Sequence, residues 1–450
     1  MRFRCSGLGI ALFAVSFPLC ARAQNAEPAP LKITLPEAVQ LALKNNHVVR
    51  IAGLEVRVKQ HAKEAARSGY FPTITNESRV LRVTDTQFIA IPAGSLGTVG
   101  GTPIPTVPAI LNQGEKTFIA SGTGLVQPLT QLFTRIKPSN DFARADLDAT
   151  RANAKATEND VALRVHEIYY QILVTQLHKS ATEAKIRAAQ EMEAERTQQV
   201  KYGSTLDEQL IDSKAQTLEA KQDLLTIELQ LSDLTMQLND VLGLPVTTQL
   251  ELDPTVPEAR EPCRREECVS TALASHPEIL AAKAEMEKAS AGVRLSKADY
   301  FPDVSAIARY SYQDNVPFLA RNFGTFGAEL TYDLFDGGRR KAKLGESNAA
   351  LGVARENLAR ITDEVERKVE TAANKLARTK EMIEVSQQIV TLRTESSRVA
   401  ARQLERGEAL PSQADAAIAQ EFDAKTLLLR SQLEYVQARD EMIHAIGRTP

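Results

Sequence analysis

The sequence predicts an α-plus-β-barrel class of fold. In it an internally duplicated chain carries two pairs of very long helices and two amphipathic strand hairpins. Three observations lead there. The tripeptide Tyr-Phe-Pro occurs at 70–72 and again at 300–302, and the offset of 230 holds around it: Glu37 aligns with Glu267, Val39 with Val269 and Ala42-Leu43 with Ala272-Leu273. A second offset, 204, aligns Gly203 with Gly407, Leu206 with Leu410, Leu224-Leu225 with Leu428-Leu429 and Gly243 with Gly447. The chain therefore reads as a duplication whose first copy has 26 more residues. Composition is the third: no Trp, 5% aromatic and 25% charged residues, in long stretches of Ala, Leu, Glu, Gln, Lys and Arg that suit extended helices.

The chain begins MRFRCSGLGIALFAVSFPLCARAQ. A basic start (Arg2, Arg4), an apolar run over 7–19 and Ala21-Arg22-Ala23 define residues 1–23 as a secretory signal peptide. A lipid anchor on Cys20 is the competing reading, and Leu19 is large for the residue that precedes such a cysteine. No later segment has the roughly 18 consecutive apolar residues of a membrane helix, so entry into a bilayer would have to use strands. Beyond the leader the cysteines are Cys263 and Cys268. In an oxidising compartment they are a candidate local disulfide, and a metal site would need further ligands.

The first repeat is expected to span 24–243. It opens on a helix from Pro36, which suits a first helical turn, to about Ser68, where Pro72 disfavours continuation. A strand hairpin follows over about 73–128. Its middle, about 85–115, is rich in Gly and Pro and is expected to be a long exposed loop. A helix pair should then occupy about 139–242, reversing at Tyr202-Gly203-Ser204. On the return helix Leu224, Ile227, Leu231, Leu234, Leu238 and Val241 alternate steps of three and four, a coiled-coil seam. Residues 244–265 read as a linker.

The second repeat, 266–450, shows the same order more clearly. A helical region from about Glu266 to Asp299 contains Pro277, which marks a break or second start. In the hairpin at about 302–335, Val304, Ala306, Ala308, Tyr310 and Tyr312 alternate with Ser305, Arg309, Ser311 and Gln313, Ile307 excepted. Phe326, Ala328, Leu330, Tyr332 and Leu334 then alternate with Thr325, Gly327, Glu329, Thr331 and Asp333. Such strands of ~10–12 residues cross a bilayer as part of a barrel, or form a soluble hairpin with one buried face. A helix pair follows over about 337–446 and turns at Arg406-Gly407-Glu408. Helices of some 60–70 residues reach roughly 90–105 Å at ~1.5 Å per residue, a length suited to spanning a gap. In a bilayer, four strands per chain would leave open sheet edges with no water to satisfy them. Three chains would pool twelve strands.

The repeated order of helix, Tyr-Phe-Pro, hairpin and long helix pair, with LTYDLFDGGRR at 330–340, resembles the TolC-like outer-membrane efflux channels. The resemblance covers essentially the whole chain after the leader. The first copy departs from it, since its junction VQPLTQLFTRIKPSN lacks Gly-Gly. The resemblance implies a homotrimer with a twelve-stranded barrel in the outer membrane of a Gram-negative bacterium and a helical tunnel in the periplasm. It implies a passive conduit for drugs, metals or other small molecules. The partners would be a periplasmic adaptor, through it an inner-membrane pump of RND or ABC type, and outer-membrane lipid. It places adaptor docking at the tips Tyr202, Gly203, Ser204, Arg406, Gly407 and Glu408. It suggests Asp207, Asp212 and Asp415 as tunnel-gate carboxylates, against the alternative of solvated helix faces. Arg309 and Glu329 are candidates for the barrel lumen, and Tyr70, Phe71, Pro72, Tyr300, Phe301 and Pro302 for the helix-to-strand junctions. Type I protein secretion is the alternative cargo reading; a periplasmic coiled-coil structural or adaptor protein is the alternative of a different class. An enzyme is not expected: the histidines scatter over helices, no G-x-S-x-G occurs, and no cofactor is implied. Nor is nucleic acid a partner at a net charge of −3.

Overall fold

The computed structural model describes residues 31–82, 88–112, 117–204, 206–255, 262–314, 320–409 and 411–450. The expected signal peptide lies outside them. After a short strand β1 (Leu31–Ile33), the chain runs α1 (Leu35–Asn45), α2 (His47–Ser68) and β2 (Thr73–Arg82). The short strands β3 (Phe88–Ile91), β4 (Thr98–Val99), β5 (Thr102–Pro103) and β6 (Ala109–Asn112) precede β7 (Thr117–Pro128), and then come α3 (Lys137–Lys201) and α4 (Asp207–Leu242). Strand β8 (Leu250–Leu252) lies in the segment expected as a linker. The order then recurs as α5 (Arg265–Ser275), α6 (Pro277–Ala298), β9 (Asp303–Asp314), β10 (Asn322–Thr331), α7 (Arg339–Glu405) and α8 (Pro411–Ala445).

Two expectations are corrected. The opening helix is not continuous to Ser68: it breaks at Asn46, whose backbone leaves the helical region (ψ 130°). The Asn46 Oδ1 accepts from the Val48 and Val49 N–H groups at 2.8 and 3.4 Å, so the side chain caps α2 as asparagine does at helix starts. The matching break in the second repeat falls 230 residues on, at His276, whose Nδ1 accepts from the Glu278 N–H at 3.2 Å. The second correction concerns the Gly/Pro-rich stretch, which folds: β3 pairs antiparallel with β6, and β4 with β5. Positive φ at Gly94, Gly97, Gly100 and Gly101 permits these tight reversals without loss of pairing.

Each break is clasped by the glycine that ends its repeat's return helix. Gly243 (φ +69°) sits where a Cβ would fall 2.9 Å from the Asn45 Cβ and 3.0 Å from its carbonyl oxygen. Gly447 (φ +90°) sits where one would fall 2.7 Å from the Pro277 Cδ and 2.9 Å from the His276 Cα. Asn46 Nδ2 also donates to the Val241 carbonyl at 2.9 Å. Gly447→Ala and Gly243→Ala are each expected to cost about 1–3 kcal/mol from backbone strain alone, with the clash added. A fall in thermal midpoint of the helical circular dichroism signal checks this; Gly203→Ala, where a Cβ has open space, is the milder control.

The core sits midway along the long helices, in two clusters. One gathers Leu35, Val39, Val165, Ile168, Tyr169, Leu238 and Leu242 with Leu433 and Val436. The other gathers Cys268, Ile279, Val365, Val369, Met442 and Ile446. Strand β1 pairs parallel with β8 beside the first, and the Tyr169 hydroxyl donates to the Ile33 and Asp253 carbonyls at 3.3 and 3.0 Å. The expected α4 seam faces inward: Leu234 and Leu238 are buried and Leu231 and Val241 pack against them. A second stripe does not. Ile211, Leu218 and Leu225, in steps of seven on α4, are each about two-thirds exposed, as is Leu392 on α7, flanked by exposed Val385 and Val399.

At the far end of the helices stands one four-stranded sheet, ordered β10-β9-β7-β2 and antiparallel throughout. The pairing of β7 with β9 joins the hairpins of the two repeats, leaving β2 and β10 as open edges.

Candidate functional site

Register divides the sheet into two chemically different faces, because residues paired across strands point the same way. One face carries Val304, Ala306, Ala308 and Tyr310 on β9, opposite Leu330, Ala328, Phe326 and Gly324 on β10. Phe326 is 92% exposed. The other face carries Thr75, Glu77 and Arg79 on β2, Arg309, Ser311 and Gln313 on β9, and Thr325 and Glu329 on β10. Arg309 and Glu329 thus share the polar face, as the alternation predicts.

The first repeat's hairpin departs from strict alternation of apolar and polar residues. On its otherwise apolar face, between Ile74 and Val80, stand Asn76 and Ser78. Asn76 Nδ2 donates to the Ser121 and Thr123 hydroxyls at 3.3 and 2.9 Å, and Ser78 donates to Asn76 Oδ1 at 2.9 Å. The polar groups satisfy one another, which lets them stand on an apolar face.

The two junctions share their entry and differ in their exit. Tyr70 and Phe71 N–H groups bond back to the Arg67 and Ser68 carbonyls, and Tyr300 and Phe301 likewise to Lys297 and Ala298, ending each helix identically just before Pro72 and Pro302. On the exit side, Gly337 and Gly338 of the second repeat take φ +64° and +88°. The first repeat, lacking them, passes through a π-helical turn over Leu132–Ile136 straight into α3. Around the second exit the Arg340 guanidinium lies over the rings of Tyr300 and Tyr332, at 5.7 and 5.2 Å, while its Nε donates to Asp336 at 2.8 Å. Asp299 binds Arg135 at 2.5 Å and Lys343 at 3.1 Å. Thr130 ties the repeats: its hydroxyl donates to the Pro302 carbonyl at 3.0 Å and accepts from the Val304 N–H at 2.8 Å.

At the opposite end the two tips are built alike. Gly203 and Gly407 both adopt φ +70°, and the residue after each donates its N–H back across the turn, Ser204 to Gln199 at 2.8 Å and Glu408 to Gln403 at 2.9 Å. Such closure of a helix C-terminus needs a left-handed residue, which glycine adopts without strain. Tyr202 is 81% exposed, and Arg406 and Glu408 are exposed. Of the carboxylates proposed from sequence, Asp207 sits in the first turn of α4, Asp212 accepts from Gln216 at 2.9 Å, and Asp415 is exposed on α8.

Cys263 and Cys268 form a disulfide with Cα atoms 5.6 Å apart, pinning the start of α5 to the second core cluster. A buried polar network passed unnoticed in the sequence. Asp440 of α8, 1% exposed, meets His166 Nδ1 of α3 at 2.5 Å and accepts from the Tyr170 hydroxyl at 2.9 Å on one oxygen. On its other oxygen it accepts from Arg439 at 2.6 Å. Burial works to raise the Asp440 pKa, and His166 and Arg439 outweigh it, holding the carboxyl below the usual range. Burial, with Asp440 beside it, pushes the Tyr170 phenol upward. The histidines looked scattered because this partner lies 274 residues away.

Among the described residues no helix is long and apolar enough to cross a membrane. Residues 268–448 match the family model described as outer membrane efflux protein. The outer membrane efflux protein BepC of Brucella suis is 24% identical over 356 residues, covering 77% of this chain and 71% of that one. The fold is similar to the Campylobacter jejuni CmeC outer membrane channel (TM-score 0.76, 14% identity, 92% of this chain and 85% of that chain). It is also similar to the outer membrane protein VceC of Vibrio cholerae (TM-score 0.75, 16% identity, 92% and 96%).

Proposed function

We propose that this chain, whose residues 268–448 match the outer membrane efflux protein model and whose fold is similar to the CmeC and VceC structures, is a TolC-like outer-membrane conduit of a tripartite exporter. It works as a homotrimer. The observation that carries this is the sheet: four strands with two open edges and one apolar, exposed face. A bilayer tolerates no unpaired strand edge. Pairing β2 of one chain with β10 of the next satisfies both edges, and three chains close a twelve-stranded barrel with Phe326 and Leu330 toward lipid and Arg309 and Glu329 toward the lumen.

The helices support the same assembly. The exposed α4 stripe lies 4, 11 and 18 residues beyond Asp207, the first residue of α4, and the α7 stripe (Val399, Leu392, Val385) lies 6, 13 and 20 residues before Glu405, its last. The two stripes therefore stand at matching heights above the tips. They fit as a seam between the α4 of one copy and the α7 of another, with repeats 24–243 and 266–450 alternating round a tunnel. The tips at Gly203 and Gly407 then face an adaptor and, through it, an inner-membrane pump that supplies small-molecule cargo. Asp207, Asp212 and Asp415 are the candidates for a narrowing above them. No catalytic step is involved.

Membrane fractionation and photo-crosslinking test this together. Recovery in the outer membrane as a detergent-soluble trimer, with an adaptor captured from a reactive group at Ser204 or Glu408, is the expected result. Release with the soluble periplasmic proteins would overturn it.

A further inference from the structure

We propose that Gly122 is a positioning residue of the barrel wall: by having no side chain it lets Arg309 lie along the sheet toward Glu77, so that the guanidinium is stowed against the wall instead of standing into the lumen. This deepens the conduit reading and rests on it for the identity of the polar face as the lumen.

Arg309 of β9 pairs across to Gly124 of β7, and Glu77 of β2 pairs across to Gly122 of β7. The arginine therefore has to cross β7 on a diagonal to reach the carboxylate. It does so directly over Gly122: a Cβ there would fall 2.6 Å from Arg309 Nη2, 2.8 Å from Nε and 3.1 Å from Cζ. Its Nη2 ends 3.6 Å from Glu77 Oε2. Nothing in the backbone asks for glycine at 122, because its φ is not positive. Glycine also weakens a strand interior, where it marks the close approach of another group. Gly124 is not pressed in the same way, since a Cβ there would meet only Thr75 Oγ1, at 3.8 Å. The space is made at one position, and one side chain fills it.

The tie between Arg309 and Glu77 is weak as an ion pair, because both side chains are at least half exposed and water screens them. Placement, more than attraction, keeps the arginine down. A guanidinium projecting into a channel is a bidentate site for carboxylate or phosphate groups. With Arg309 stowed and its charge opposed by Glu77, the wall at this level passes anionic cargo without holding it. Gly122 and Glu77 are in this sense specificity-determining, by removing a binding site.

The test is modification of the detergent-solubilised full chain by phenylglyoxal, quantified by mass spectrometry at Arg309 and at Arg79, which shares the polar face. In the wild-type protein Arg309 is expected to react several-fold more slowly than Arg79. Gly122→Val should bring Arg309 up to the rate of Arg79, and Glu77→Gln should raise it by less, with Arg79 unchanged in both. Gly122→Ala, the gentler change, decides the matter if the valine variant does not assemble. Equal reactivity of the two arginines in the wild type, or no change at Arg309 on substituting Gly122, overturns the proposal. The conduit reading fails separately: the protected Arg309 would then be found in a protein that is absent from the outer membrane.

Discussion

Asp440→Ala is expected to destabilise the helical region by about 3–5 kcal/mol, the cost of breaking a buried ion pair by removing one partner. The alanine leaves His166 and the Tyr170 hydroxyl facing a void between α3 and α8, and removes the carboxylate that accepts from Arg439 at 2.6 Å. Asp440→Asn keeps the shape and an acceptor for Tyr170, and should lose less. Thermal loss of the far-UV helical signal in detergent ranks the three proteins; an alanine variant as stable as the wild type would show that the network contributes little. The pH dependence follows from the depressed folded-state pKa of Asp440. As pH falls, the unfolded chain takes up its proton at the ordinary carboxylate value, while the folded chain resists until the lower one. The advantage of wild type over Asp440→Asn is therefore full above the ordinary carboxylate value and is lost as pH drops through the depressed one.

Leu218→Glu combined with Leu225→Glu is expected to abolish the proposed trimer while leaving the single chain folded. Both leucines are about two-thirds exposed in the chain, so neither substitution opens a core. In the trimer each would lie in the seam against α7 of a neighbour, where burial of a leucine contributes about 1.5–3 kcal/mol, and the loss recurs at all three seams. Leu392→Glu should act in the same direction from the opposite side. Light scattering in detergent reads the mass, and circular dichroism the retained helicity. Trimers of unchanged mass would mean that these stripes meet something other than a second copy.

What could be read in advance divides along physical lines. The long helices, their reversal at Gly203 and Gly407 and the two faces of β9 and β10 were legible, because each is written in local periodicity or in a residue with a strong backbone preference. The clasp was half legible. Gly243 and Gly447 stood out as a repeated pair, yet Asn46 and His276 are different residue types doing the same capping, and only their spacing of 230 links them. The folded hairpin within 88–112 was missed because its glycines and prolines signal turns without saying that the turns pair. The Asp440 network was missed for a different reason: its members come from different halves of the chain, 274 residues apart, and no period connects them. The role of Gly122 was hidden too, since strand alternation assigns a face to a residue but not a reason for lacking a side chain.

The even number of strands has a consequence for how copies are counted. Because the sheet is antiparallel throughout, β2 and β10 run in opposite directions, so a neighbour's β10 always meets β2 head to tail. Two, three or four chains would all close without a single parallel seam. In the proposed barrel the sheet is thus indifferent to subunit number, and the counting would fall to the helices, where the wedge angle between one copy's α4 and another's α7 would decide how many fit round the axis. Altering that wedge should change the width of the conduit before it changes the ability of the strands to pair.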